Sequence, residues 1–113
     1  MSVDRLLMDA LKPLGYPVAK AKYNQVADTY IVFVEYNQAS RLNADDEELI
    51  TKHFYQVDVF SNGNYNKLVN DVKNSLKDAG FTRMFESEIY DEDMKKYRRI
   101  IRFNYENKIK EEI

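Results

Sequence analysis

The stretch "TKHFYQVDVFSNGNYNKLVNDVKNSLKDAGF", residues 51–81, decides the fold class. Its first ten residues alternate. Tyr55, Val57 and Val59 share one side, and Phe54, Gln56, Asp58 and Phe60 share the other, which is the period of a β-strand over 51–60. "SNGN", residues 61–64, supplies turn chemistry and a helix cap. After it Tyr65, Leu68, Val69, Val72, Leu76 and Ala79 recur at three- and four-residue intervals, one face of a helix over 65–79. Gly80 stands where a left-handed terminating residue is expected. The opposite face carries Lys67, Asn70, Asp71, Lys73, Asn74 and Lys77, so this helix lies on a sheet with one side in water.

Working outward, "TYIVFVEY", residues 29–36, is apolar on both sides: Tyr30, Val32 and Val34 on one, Ile31 and Phe33 on the other. A strand of that kind is covered on both faces, the second cover being a helix of this chain or a neighbouring subunit. "VAKAKY", 18–23, alternates weakly and suits an edge strand. Residues 2–12 read as a short helix capped by Ser2 or Asp4 and stopped by Pro13, Gly15 and Pro17. Residues 81–87 and 97–105 complete the strands, the latter with Tyr97, Ile101, Phe103 and Tyr105 as its apolar set. The expected fold class is α+β: a mostly antiparallel sheet, a long helix (65–79) packed on one face, and a short N-terminal helix, in the order α-β-β-β-α-β-β. The 113 residues suit a single domain, 1–113, with 106–113 a flexible charged tail.

Composition removes several functions. Seventeen basic against nineteen acidic side chains, net −2, lack the basic excess of a general nucleic-acid binder. The absence of cysteine removes disulfides, thiolate zinc sites and cysteine nucleophiles. "MSVDRLLMDALKPLG" is neither a signal peptide nor a membrane span. Nine tyrosines suit both half-buried sheets and protein interfaces.

Four carboxylates stand side by side in "RLNADDEELI", residues 41–50: Asp45, Asp46, Glu47 and Glu48. A calcium loop spaces its ligands and needs a glycine, and neither feature is present. A catalytic carboxylate pair needs an apolar wall to raise one pKa, and the neighbours here are charged. A solvated hairpin loop, or a docking loop that meets basic residues on a partner, fits better. Asp91, Glu92 and Asp93 form a second acidic turn beside Lys95 and Lys96. His53 is the sole histidine and sits in no HExxH or nucleophile-elbow pattern. A small hydrolase or metal enzyme would have to be built on Asp45, Asp46 and His53. The run "KKYRRIIR", 95–102, interleaves basic and aromatic residues, which makes strand 95–105 the candidate for single-strand binding. Arg98, Ile100 and Arg102 share one face, however, while Arg99 joins the apolar set, and no RNP-like motif is present. Glycine-rich phosphate loops are absent.

One pattern goes further. "TYIVFVEYNQ", "LNADDEEL", the strand–helix run "HFYQVDVFSNGNYNKLVNDVKNSLKDAGFTR" and the closing "EIYDEDMKKYRRIIRFNY" together resemble the small tail-terminator (tail completion, tail-to-head joining) proteins of long-tailed bacteriophages and prophages, over roughly residues 28–105. The resemblance implies a β-sheet flanked by helices, no enzyme activity and no cofactor. It implies a homohexameric ring that caps the tail tube and presents a surface to the head connector, in the neck of a virion assembled in the host cytoplasm, with no membrane and no sequence-specific nucleic acid as partner. From chemistry, Asp45, Asp46, Glu47, Glu48, Asp91, Glu92, Asp93, Arg98 and Arg102 are the expected interface residues, with the two arginines set opposite the acidic loops of a neighbour.

Overall fold

A computed structural model describes residues 2–44 and 47–108. The elements follow the expected order: α1 (Val3–Leu11), a 3₁₀ turn (Lys12–Leu14), β1 (Val18–Lys20), β2 (Thr29–Ala44), β3 (Glu47–Ser61), α2 (Asn66–Asp78), β4 (Thr82–Asp91) and β5 (Lys96–Lys108). The sheet order is β1-β2-β3-β5-β4. β1 runs parallel to β2, and every other pairing is antiparallel.

The local chemistry explains the element ends. Ser2 Oγ accepts from the Arg5 backbone N–H at 3.1 Å and caps α1, so of the two expected caps Ser2 takes the role. Before α2, Asn64 Oδ1 accepts from the Asn66 backbone N–H at 3.0 Å. Tyr65, at φ −126°, is left outside the helix, although its ring is buried as the periodicity requires. The long helix expected over 65–79 is therefore 13 residues, an ordinary length. Gly80 ends it at φ 103°, the left-handed region that side chains avoid.

Both helices pack on the same sheet face. Leu7 and Leu11 of α1, and Leu68, Val69, Val72 and Leu76 of α2, close over Ile31, Phe33, Tyr55, Val57, Val59, Ile101 and Phe103. Paired positions across β2, β3 and β5 carry this set in line: Phe33 lies opposite Val57, and Val57 opposite Ile101. No helix covers the other face, so the second cover expected over Val32 and Val34 is absent among the described residues. Val34 is exposed.

The β2–β3 hairpin is longer than the sequence suggested. Strands expected over 29–36 and 51–60 run on to Ala44 and start again at Glu47, so most of the segment read as an acidic loop is paired strand. Asp45 and Asp46 lie outside the described residues. Extra residues are absorbed as bulges between Glu35 and Asn37 and on both sides of Leu42, which keep a polar ladder paired and raise its twist. Phe54 is level with Asn37, Asn104 and, through Asn104, Thr82. From that level to Ala44 the hairpin continues for about 23 Å at the usual strand rise, and the molecule is 52 Å in its longest extent. β5 also exceeds its expected range and carries residues 106–108 of the anticipated tail as paired strand, because Ile50, Thr51 and Lys52 of β3 give it a template. Residues 109–113 lie outside the described residues.

Candidate functional site

The open sheet face holds the chemistry that the core does not absorb. On β3 and β5, Arg98 donates to Asp58 Oδ2 at 2.8 Å, Gln56 donates to the same carboxylate at 3.2 Å, and Arg102 Nε donates to Gln56 Oε1 at 3.1 Å. Asp58 is buried, and the Arg98 guanidinium stacks 5.4 Å from the Phe60 ring. A buried charge held this way is compensated within its own chain. Arg102 has a neutral hydrogen-bond partner and lies 5.2 Å from the Tyr36 ring and 5.5 Å from the Phe85 ring. Tyr36 follows Val34 on this face by strand alternation and lies beside Phe54, ring centres 6.1 Å apart. Tyr36 and Phe85 are 45% and 48% exposed, and Val34 and Ile89 are exposed beside them.

The two ends of this face differ. At the lower end Tyr23, Tyr30 and Phe60 form a stack with centroid separations of 4.5 and 4.8 Å, so Tyr30 and Phe60 are buried. Lys96 anchors the adjoining loop by donating to the carbonyls of Ala27 and Asp28 at 3.1 and 2.9 Å. At the upper end the aromatic rings and Arg102 face outward. Tyrosine, arginine and phenylalanine in one exposed cluster are the residue types that dominate protein interfaces.

A second polar cluster lies on the helix side. Tyr55 donates to Asp4 Oδ1 and Lys20 to Asp4 Oδ2, tying α1 and β1 to β3. Burial opposes ionisation of Asp4, but the hydrogen bonds from Lys20 and Tyr55 outweigh it and hold the carboxyl below its usual value. Burial and then the bond to Asp4 push the Tyr55 hydroxyl far up. His53 Nδ1 lies 2.6 Å from Glu35 Oε2, with both side chains largely covered. This places His53 as a strand residue in a packed pair. No group of three metal-ligating side chains forms among the described residues.

Beyond β5, Arg99 joins the helix face as its position in the sequence requires. It bonds Glu86, and Glu88 at 3.0 Å. Lys73 of α2 and Arg83 of β4 converge on the same Glu86 oxygen at 3.0 and 2.9 Å. A groove of about 480 Å³ opens here between α2 and β4, lined by Asn70, Lys73, Asn74, Lys77 and Arg83 over Phe81 and Phe103.

Of the residues expected at an interface, Arg98 and Arg102 share the open face. Asp91 ends β4 and accepts from the Met94 backbone N–H at 3.0 Å, which shapes the turn holding Glu92 and Asp93. Glu47 and Glu48 belong to the far end of β3. Sequence reasoning passed over Tyr36, Phe85, Lys73, Arg83 and Glu86. The face of Tyr36 follows from alternation with Val34, but that this face stays uncovered, and that Glu86 meets Lys73 and Arg99, depends on tertiary pairing that leaves no local signal.

The architecture is an open-faced α+β sheet with two helices on one side and a projecting hairpin. No family model matches the chain, and no curated protein sequence does. Among solved structures, it is similar to a chain described as "Virion of native gene transfer agent (GTA) particle", with a TM-score of 0.56 and 16% identity, over 88% of this chain and 82% of that one. At that identity the likeness concerns the fold.

Proposed function

We propose that this chain is a non-enzymatic structural protein of a phage or prophage virion, which forms a homo-oligomeric ring, a hexamer, that caps the tail tube and joins it to the head connector. The observation that carries the reading is the fold shared with a virion chain over most of both lengths. The sequence resemblance to tail terminators over roughly residues 28–105 points the same way. Two features suit an assembling subunit. One is the outward cluster of Tyr36, Phe85 and Arg102, which a neighbouring copy would cover. The other is a hairpin arm whose strands overhang the sheet out to Ala44 and Glu47, where the sequence carries the acidic run 45–48. Within this reading Arg98 and Arg102, together with the acidic sets at 45–48 and 91–93, belong to subunit and tube contacts, in the neck of the particle.

Quantitative mass spectrometry of particles purified from the source bacterium tests this. The expected result is the chain at a few copies per particle, alongside tube and connector proteins. Its absence from intact tailed particles would overturn the reading. The second reading is an accessory protein that binds single strands on the strand 95–105 face. It is favoured by Arg102 lying between two exposed rings, and it predicts steeply salt-dependent binding of an oligonucleotide.

A further inference from the structure

We infer that the groove between α2 and β4 is the seat for the acidic hairpin tip of a second copy of this chain, a contact that rests on the self-assembling reading above. Three cations, Lys73, Lys77 and Arg83, line the groove, and one carboxylate, Glu86, answers them. That carboxylate is already shared: Lys73 and Arg83 take one oxygen, and Arg99 takes the other. Lys77 makes no ion pair among the described residues. The floor is Phe81 and Phe103, both buried, so the surplus positive charge stands before an apolar wall that concentrates its field. Lys73 and Lys77 sit one helical turn apart, about 6 Å, and Arg83 faces them from β4. Point charges spread along a groove match a row of carboxylates on a chain better than one small anion held at a single point.

The chain itself supplies such a row. Positions 45–48 carry four consecutive carboxylates. They cannot reach the groove of their own copy while β2 and β3 stay paired out to Ala44 and Glu47, because that pair lies about 23 Å beyond the level of Thr82. The occupant is therefore the tip of another copy. Tip and groove are different surfaces, so copies can join head-to-tail, the arrangement that closes into a ring and the one the ring reading requires, whereas reciprocal exchange of tips would give a two-fold dimer. Arg98 is a poorer counterpart, since Asp58 already neutralises it.

The test compares self-association of the full chain by sedimentation velocity and native mass spectrometry at about 0.1 M salt, where charge contacts still act. Lys77→Glu with Arg83→Glu, both at exposed positions, keeps a cooperative melt that is lowered modestly by loss of the Arg83–Glu86 pair, and lowers the association constant at least about tenfold. Asp45→Lys with Asp46→Lys weakens association to the same degree. Combining all four restores association to within about threefold. Assembly of the groove variant as in the wild type overturns the contact and leaves the ring reading standing. Rescue of the tip variant by Arg98→Glu with Arg102→Glu instead would move the seat to the open face. Loss of single-stranded oligonucleotide binding in the groove variant, with self-association intact, would assign the groove to nucleic acid. A wild-type chain that stays monomeric at every concentration fails the ring reading itself, and the contact with it.

Discussion

Glu86 is the residue on which the most depends. Burial works against its charge, yet hydrogen bonds from Lys73 and Arg99 hold its carboxyl below the ordinary 4.5. A carboxyl depressed in the folded state binds fewer protons there than in the unfolded chain. Its stabilisation is therefore complete above about pH 4.5 and is lost as pH falls through the lower folded value. Asp4 behaves the same way below 3.8. Glu86→Gln should cost about 2 kcal/mol at neutral pH, because cations lose a charged partner, and it should flatten the acid limb of the stability curve. Urea titrations at neutral pH and near pH 3 measure both effects, and an unchanged difference between them would refute the assignment. Gly80 is the other sensitive position. Its φ of 103° excludes most side chains, and an added Cβ would meet Tyr105 Cε1 at 3.2 Å. Gly80→Ala should cost about 1–2 kcal/mol in the same titration; a stabilised variant would mean that the helix end can rearrange.

The elements differ in how openly the sequence declares them. α2 was legible because one face had to meet the sheet, and its apolar spacing records that need. Strand faces were legible for the same reason: Val57 and Val59 point to the core, Gln56 and Asp58 away. The outer hairpin was not, because its pairing rests on backbone hydrogen bonds away from the helix-covered core, and a ladder outside that core imposes no apolar alternation on its side chains. Charge clusters were visible as composition, but their partners were not. Arg98 finds Asp58 across 40 residues, and Lys73 finds Glu86 across two elements. If the arm serves assembly, the domain should fold without it. Ser40 and Thr51 are paired, so replacing residues 41–50 with Asn-Gly joins them through a two-residue turn of the favoured hairpin type. The shortened chain should keep its cooperative melt and lose self-association in sedimentation. A shortened chain that still assembles would free the arm from that role.

At the scale of the whole molecule, charge and shape divide along the long axis. Residues 37–54 carry Arg41, Lys52 and the four carboxylates of 45–48, net −2, so the arm holds the whole net charge of the chain while the remainder is neutral overall and carries the cations of the α2–β4 groove. Copies with that separation attract end to body, and the attraction weakens as salt screens it. Charge steers such an encounter, but lasting contact needs buried apolar area. The open face offers it at Tyr36 and Phe85, which flank Arg102 and contribute little to the core of their own chain. Tyr36→Ala with Phe85→Ala should therefore change the unfolding free energy by no more than about 1 kcal/mol, as exposed substitutions do, while lowering the association constant at least about tenfold through faster dissociation. Raising salt should instead slow association and leave dissociation nearly unchanged. Stopped-flow mixing of labelled chains separates the two rates. A double variant that assembles and dissociates like the wild type would show that neighbouring copies meet elsewhere, and would leave the exposed rings to the tube, the connector or a nucleic acid.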